Sequence, residues 1–164
     1  MKNQIVELSI ATTDGKFTAK YTPEGLAELD FPVGRTKGAG AGSNEIPAQF
    51  HRWHRITESA LKSVLAGQKP KQLPPLVPTG TEFQKSVWNV MRKIPAGRTK
   101  SYGEVAQAIG RPRAVRAVGG ACGANPIPIL VPCHRILAAN KKLGGFSGGL
   151  DWKRKLLARE GIVF

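Results

Sequence analysis

The sequence predicts an α+β protein in which a small antiparallel sheet with one helix precedes a mainly helical lobe with a (winged) helix-turn-helix. Three patterns in the 164 residues support this prediction. Apolar and polar residues alternate near the N-terminus, helical periodicity follows two capping boxes later on, and four prolines separate these regions. The proline-rich residues 68–79 are typical of a stiff linker. We therefore expect one lobe with its linker over residues 1–78 and a second lobe over residues 79–164.

A hairpin is predicted at the start of the N-terminal lobe. Apolar side chains alternate with polar ones in residues 6–10 and again in residues 17–21, as they do in half-buried strands. Asp14-Gly15 lies between the two runs and is a strong signal for a hairpin turn. Residues 26–31 are expected to form a third strand, which Pro32 ends.

A loop and a long helix complete the predicted lobe. Residues 34–43 are rich in glycine and alanine and indicate a loop, and the helix begins at Ala48 and ends at Gly67. His51 and His54 could share a metal, but two ligands rarely suffice, so we expect an exposed helix face there. The apolar face of the helix consists of Phe50, Trp53, Thr57, Ala60, Leu61, Val64 and Leu65.

Two capping boxes start helices in the second lobe. The box at residues 81–84 precedes a helix that ends at Pro95, and the box at residues 101–104 precedes a short helix that runs through Ile109. Pro112 suits the first position of a further helix that ends at Gly123.

Arginines on this further helix indicate what it contacts. A short helix, a tight turn and a second helix with Arg113 and Arg116 resemble a DNA-binding helix-turn-helix, with an ordinary pair of core helices as the alternative. The chain has 25 Lys and Arg against 11 Asp and Glu, a net charge of +14 and a pI of about 10.3. Such an excess favours nucleic acid as the partner. An anionic membrane is disfavoured, because the basic residues are scattered and no apolar run is long enough to span a bilayer.

Cysteine content and the N-terminus indicate the compartment. Cys122 and Cys133 are too few for a disulfide scaffold or an all-cysteine zinc site, and the first residues lack the apolar core of a signal peptide. We therefore expect a soluble, cytoplasmic chain with reduced thiols, with Cys122 packed as a small side chain.

The segment of residues 125–136 carries the predicted chemistry. Three prolines in seven positions disfavour a helix, so we expect an extended apolar wall that ends in Cys133, His134 and Arg135. This arrangement places a nucleophilic thiol at the edge of a pocket, with a buried structural cysteine as the alternative. Neighbouring side chains on extended backbone point to opposite sides, so we expect a water to link Cys133 to His134.

Glu160 is a second candidate for chemistry. On the predicted C-terminal helix it falls within the apolar stripe that Trp152, Leu156 and Leu157 define, since residues advance by about 100° each. It also lies in the last turn, where a negative charge opposes the helix dipole. A carboxylate in this position needs a hydrogen-bonding partner. The imidazole of His134 would be such a partner, and the carboxylate would orient it. A frayed helix end with Glu160 in water is the alternative.

These motifs resemble the O6-alkylguanine-DNA alkyltransferases, also called methylated-DNA–protein-cysteine methyltransferases, over about residues 79–161. The residues that carry the resemblance are Arg116-Ala117-Val118-Gly119-Gly120-Ala121, Asn125-Pro126, Pro132-Cys133-His134-Arg135-Ile136 and Gly145-Phe146-Ser147-Gly148-Gly149-Leu150.

The resemblance implies catalytic roles for four residues. Cys133 would accept the alkyl group irreversibly, once per molecule, and His134 would generate the thiolate through a water. Glu160 would orient His134, and Tyr102 would donate a hydrogen bond to guanine N3 and help to rotate the nucleotide.

The resemblance also implies how DNA is held. Arg116 would enter the duplex from the minor groove and fill the gap left by the flipped base, on a DNA-binding surface shared with Tyr102, Ala117 and Arg113. Asn125 would be a hinge between this motif and the cysteine segment. The substrate pocket would consist of Ile136, Phe146, Ser147, Pro128 and Gly148.

The resemblance implies a monomeric DNA repair enzyme without cofactor or metal. This enzyme would act on double-stranded DNA containing O6-alkylguanine, in the cytoplasm and with the nucleoid of a prokaryote. Phe146 stands where the family often has tyrosine, which removes a hydroxyl but keeps an aromatic wall. Lys153, Arg154, Lys155 and Arg159 could touch phosphate or form a solvated helix face. Non-catalytic lesion-binding relatives, helix-turn-helix regulators and a cysteine hydrolase using Cys133, His134 and Glu160 are the alternatives.

Overall fold

Three antiparallel strands form the first part of the chain, as predicted. The computed structural model describes residues 4–32 and 46–163, and its first strands are β1 (Val6–Thr12), β2 (Gly15–Thr22) and β3 (Gly25–Asp30), paired in chain order. Ile10 lies opposite Phe17, so the alternation places apolar side chains on one face. The loop predicted over residues 34–43 lies outside the described residues.

Helix α1 (Ala48–Leu65) packs its predicted apolar face on this sheet. His54 departs from the prediction of an exposed helix face. Its Nε2 lies 3.1 Å from the Ser9 carbonyl oxygen and its Nδ1 lies 2.8 Å from the Tyr21 hydroxyl. Since a carbonyl only accepts, Nε2 carries the proton and Nδ1 accepts from Tyr21. This half-buried histidine therefore fastens α1 to two strands.

The proline-rich linker is fixed to the sheet rather than free. The Leu26 amide donates to the Pro75 carbonyl at 2.8 Å, and the Val77 amide donates to the Leu26 carbonyl at 2.9 Å. Buried side chains from the sheet, α1 and the later helices belong to one hydrophobic core. The division of the chain near residues 68–79 stays a prediction.

The second part contains α2 (Glu82–Arg92), α3 (Tyr102–Ala108), α4 (Val115–Gly123) and α5 (Leu150–Arg159), together with the short strands β4 (Lys100–Ser101) and β5 (Ile136–Leu137). Both predicted capping boxes are present, at Thr81 and at Ser101. None of the helices in the described ranges combines the length and the apolar character needed to cross a membrane.

Helix α4 begins later than the sequence predicts. The chain first makes a turn, in which the Ala114 amide donates to the Arg111 carbonyl at 2.9 Å, and the helix starts at Val115 rather than at Pro112. Arg113 therefore lies in the turn, and Arg116 lies in the first turn of the helix.

The prediction of an extended wall over residues 125–136 is wrong. The Val131 amide donates to the Ile127 carbonyl at 2.9 Å, and Ile129 adopts a φ of 74°. Residues 133–135 then form one turn of 3₁₀ helix. The prolines exclude a regular helix or a central strand, but they are compatible with tight turns, which fold this segment back on itself.

Candidate functional site

The 3₁₀ turn that carries Cys133 lies beside the start of α3. Strands β4 and β5 pair in parallel, with Lys100 opposite Ile136 and Ser101 opposite Leu137. One side of this pairing continues into Tyr102, and the other follows directly from the turn. The helix-turn-helix and the cysteine segment are thus joined through backbone hydrogen bonds.

A buried network of charged groups follows the cysteine. His134 Nε2 lies 3.0 Å from Glu160 Oε1, and the Glu160 side chain is 1% exposed. Arg135 donates to both carboxylate oxygens of Glu160 and also donates to the Ile94 carbonyl. The structure therefore brings Glu160 to His134, as the sequence predicts, and adds Arg135, which sequence reasoning left without a role in the network.

This network fixes the protonation of its members. Burial by itself would raise the pKa of Glu160, but hydrogen bonds from His134 and Arg135 lower it to about 2, so Glu160 is ionised. Burial lowers the pKa of His134 more than Glu160 raises it, so the imidazole is neutral near pH 7. An ionised carboxylate accepts only, which places the imidazole proton on Nε2 and leaves Nδ1 as a free base.

His134 Nδ1 is the buried side-chain polar atom that has no protein partner in residues 4–32 and 46–163. Buried polar atoms are almost always hydrogen-bonded, so one that is not requires an explanation. A role as a catalytic base would explain it, because the free lone pair of Nδ1 must accept a proton during the reaction. The water that we expect between His134 and Cys133 stays a prediction.

The Cys133 thiol is protonated at rest. The residue is 4% exposed, and burial raises the pKa of its thiol to about 11, although a hydrogen bond from Asn125 and the charge of Lys153 favour the thiolate. A thiol with this pKa needs a base to become a nucleophile at neutral pH.

Lys153 is a component of the site that sequence reasoning missed. Its expected contact with phosphate or solvent is wrong, because the residue is 0% exposed. Its Nζ donates to the Ile136 carbonyl at 2.6 Å and to the Gly145 carbonyl at 3.1 Å. The helical-wheel argument applied to Glu160 would have found it, since Lys153 follows Trp152 by one position and falls within the same stripe, between Leu156 and Leu157.

Asn125 connects the end of α4 to the cysteine segment. Its side-chain amide donates to the Val131 carbonyl at 2.8 Å, and its Oδ1 accepts from the Ile127 amide at 3.0 Å. These contacts hold the folded-back segment that leads to Cys133, in the position where a hinge is predicted.

Tyr102 and the glycine-rich loop of residues 143–149 approach each other closely. Tyr102 is half-buried, and burial raises the pKa of its phenol, so the hydroxyl is neutral near pH 7. Gly144 has a φ of 68°, and a Cβ there would lie 2.9 Å from the Tyr102 hydroxyl. Glycine is therefore required at this contact.

The five predicted pocket residues divide into two groups. Pro128, Ser147 and Gly148 line a cleft of about 690 Å³ between the sheet and α5, together with the predicted hinge residue Asn125. Ile136 and Phe146 do not line it, and neither do the predicted catalytic residues Cys133 and Tyr102. Ile136 is buried beside Lys153, and the Phe146 ring packs 5.6 Å from the Phe31 ring of the N-terminal part. Cys133 is 4% exposed, so its thiol is covered rather than open at the edge of a pocket as predicted.

Three of the four predicted DNA-binding residues are exposed, and the fourth, Tyr102, is half-buried. Arg113, Arg116 and Ala117 are exposed, whereas Val118, Ala121 and Cys122 of α4 face the core. Cys122 lies 3.7 Å from Met91 Sδ and is packed, as expected. Among the described residues no group of three or more His, Cys, Asp or Glu could hold a metal ion.

Fold and site together define a helix-turn-helix protein with a buried cysteine beside a histidine–glutamate pair. The family profile described as 6-O-methylguanine DNA methyltransferase, DNA binding domain, matches residues 82–162. The methylated-DNA–protein-cysteine methyltransferase of Methanosarcina acetivorans is 45% identical over 141 residues, which are 84% of this chain and 86% of that protein. The chain belongs to the methylated-DNA–protein-cysteine methyltransferase family.

Solved structures agree with this assignment. The crystal structure of the Mycobacterium tuberculosis O6-methylguanine methyltransferase superposes with a TM-score of 0.74 at 34% identity, over 96% of this chain and 93% of that one. The M. tuberculosis protein in complex with DNA gives a TM-score of 0.74 at 36% identity, over 93% and 90% of the two chains. The family resemblance and the α+β fold with its helix-turn-helix are therefore confirmed.

Proposed function

We propose that this protein repairs DNA by moving an alkyl group from O6 of guanine to the sulfur of Cys133, once per molecule. The observation that carries the proposal is the buried His134–Glu160 pair, which leaves His134 Nδ1 free as a base directly after a protonated cysteine. The family membership supports the same reaction, since the relatives are named for methyl transfer from DNA to a protein cysteine.

The reaction begins with proton transfer. The thiol proton passes through a water to His134 Nδ1, and the charge that develops on the imidazolium is stabilised by Glu160, which Arg135 holds in place. The sulfur then attacks the alkyl carbon, so that a C–S bond forms as the bond between carbon and O6 breaks. The electron pair of the broken bond stays with guanine.

Tyr102 assists the leaving group. Guanine departs as an anion, and a neutral phenol that donates a hydrogen bond to N3 stabilises the developing charge. Removing a comparable donor in other enzymes costs about 3 kcal/mol of barrier. The proposed reaction contains no step that returns the thioether to the thiol, so each protein molecule reacts only once.

DNA binding presents the base to the site. Arg113, Arg116 and Ala117 form the exposed surface that meets the duplex, and Arg116 fills the gap left by the extruded nucleotide. Extrusion costs a few kcal/mol, and less for a weakly paired damaged base. Asn125 couples this surface to the cysteine segment through its hydrogen bonds to residues 127 and 131.

The flipped base is proposed to lie in a pocket walled by Ile136, Phe146, Ser147, Pro128 and Gly148, with its alkyl group toward the sulfur of Cys133. Since Cys133 is 4% exposed, its surroundings must rearrange to admit a base, and we propose that the loop of residues 143–149 moves away from Tyr102, which Gly144 approaches closely. We further propose that residues 1–78 and 79–164 form two lobes that share one hydrophobic core, and that the protein works as a cytoplasmic monomer on the double-stranded DNA of a nucleoid.

The decisive test uses an oligonucleotide duplex that contains O6-methylguanine. After incubation, intact-protein mass spectrometry should show a gain of one methyl group, and peptide mapping should place it on Cys133. Cys133→Ala should lose transfer and keep duplex binding, whereas the matched control Cys122→Ser should keep both. Duplex binding without any mass gain would contradict the proposal and favour a lesion-binding protein.

A further inference from the structure

Two neighbouring clefts meet at Arg92 and form one groove along the linker. The first, of about 420 Å³, lies between linker residues 76–79 and α2, and the second, of about 600 Å³, lies between linker residues 69–73 and the end of α2. Arg92 lines both clefts, and residues 129–132 contribute to the floor of each. We call this feature the linker groove. Its lining residues are 69–73 and 76–79 of the linker, Lys85, Trp88, Asn89 and 92–96 of α2 and its end, 129–132, and Glu24, Val64 and Arg135.

Cations dominate the linker groove. Its charged lining residues are Lys69, Lys71, Lys85, Arg92, Lys93, Arg135 and a single carboxylate, Glu24. Apart from Arg135, these cations are exposed and make no ion pair with the described part of the chain. Outside the groove Lys20, Lys62 and Arg159 are paired with carboxylates, whereas Arg52 and Arg55 have no ion pair with a described residue either. The groove differs in that five such cations line adjoining clefts. The groove therefore concentrates positive charge that the protein itself does not neutralise.

The walls of the groove are apolar and held in place. Leu76 and Val77 line the first cleft, and Leu73, Ile94 and Leu130 line the second, so an occupant meets apolar surface as well as cations. The hydrogen bonds of Leu26 to Pro75 and Val77 hold the linker wall on the sheet. A groove with both cations and apolar walls suits an unpaired polynucleotide strand, which presents its phosphates and its bases together. A duplex keeps its bases stacked inside and offers the apolar walls nothing to contact.

The linker groove is separate from the recognition surface. Its lining contains no residue of α3, α4 or the loop of residues 138–149. We propose that the linker groove binds a segment of single-stranded nucleic acid while the helix-turn-helix holds a duplex. The protein then carries two nucleic-acid sites, which do not depend on each other or on alkyl transfer.

Fluorescence anisotropy on a preformed complex tests this proposal. The full-length protein is first saturated with a short unlabelled duplex, and fluorescein-labelled oligothymidylate is then titrated in. The oligothymidylate should bind, and Arg92→Gln with Lys93→Gln should weaken its binding roughly tenfold. The salt dependence should fall by about 1.4 in the slope of log K against log[salt], because each lost phosphate contact accounts for roughly 0.7.

The matched control is Arg52→Gln with Arg55→Gln, two exposed arginines of α1 outside the groove. This variant should bind oligothymidylate as the wild type does. Failure of the saturated complex to bind, or equal binding by both variants, would overturn the proposal. Equally tight binding of poly-glutamate would assign the groove to an acidic protein segment instead. Methyl transfer measured by mass on the same samples shows separately whether the proposed function holds.

Discussion

The sheet with α1 and the segment around Cys133 bury different kinds of side chain. Among the described residues the buried polar or charged ones are Thr57, Asn125, His134, Arg135 and Lys153, and Thr57 alone belongs to the first region. The sheet and α1 otherwise pack aromatic and aliphatic groups. The cysteine segment encloses an imidazole, a guanidinium, an ammonium and a carboxylate, each of which needs a partner to offset its desolvation.

This difference indicates that the sheet with α1 mainly provides stability, whereas the segment around Cys133 provides the reactive groups. Hydrophobic burial stabilises the first region, and it tolerates apolar substitutions that keep the side-chain volume. The cysteine segment depends on particular donors and acceptors, and its one unpartnered buried nitrogen is the atom with a proposed chemical role. Changes in the segment should therefore alter the reaction more than changes of similar size in the sheet.

The largest effect is expected for His134→Gln. Loss of the base should lower the rate constant of alkyl transfer at pH 7 by about 10²–10⁴-fold. Because burial raises the pKa of the Cys133 thiol to about 11, the thiolate fraction in this variant should rise about tenfold per pH unit from pH 7 to 9, and the rate with it.

The wild type should behave differently across the same range. Burial lowers the pKa of His134, so the imidazole is already a neutral base at pH 7, and the rate should change little up to pH 9 and fall only below pH 6.5. Single-turnover kinetics with O6-benzylguanine as a free base measures this directly. His51→Gln, at an exposed histidine, is the control, and parallel profiles for wild type and His134→Gln would remove the base from the mechanism.

A smaller effect is expected for Lys153→Met. The ammonium is lost, and the carbonyls of Ile136 and Gly145 lose their donor inside the protein. Unsatisfied buried acceptors typically cost about 1–3 kcal/mol, so the free energy of unfolding should fall by about 2 kcal/mol. Urea denaturation measures it, and Arg154→Met on the exposed face of α5 should leave it unchanged. Equal losses in both variants would mean that burial of the ammonium does not matter.

The regions also differ in how much the sequence reveals. Alternation in residues 6–10 and 17–21, together with the two capping boxes, predicts the strands and helix starts because period and local hydrogen bonding decide them. Tertiary contacts decide the cysteine segment. The turn at residues 127–131 depends on Asn125 and a positive φ at Ile129, which no local propensity favours.

Charged residues show the same limit. Glu160 is predictable because it interrupts an apolar stripe, and Lys153 lies in that stripe as well, but a lysine at a helix surface is ordinarily solvated. Its partners are two backbone carbonyls, which have no sequence signature. The start of α4 at Val115 likewise follows from the extra turn at residues 111–114, since a proline is equally compatible with a turn.

The smallest effect concerns pH and His54 in the first region. Burial lowers the pKa of His54 below its value in the unfolded chain, so the unfolded state takes up the proton first as pH falls through 6.5, and stability decreases. His54→Gln retains a donor for Ser9 and an acceptor for Tyr21 without a titrating group. Its free energy of unfolding should therefore decline less between pH 7.5 and 5.5 than that of the wild type, as measured by urea denaturation. His134 titrates in the same direction in both proteins, so the difference between the two slopes reports on His54 alone. Identical slopes would show that the bonds of His54 to the sheet do not depend on its neutral form.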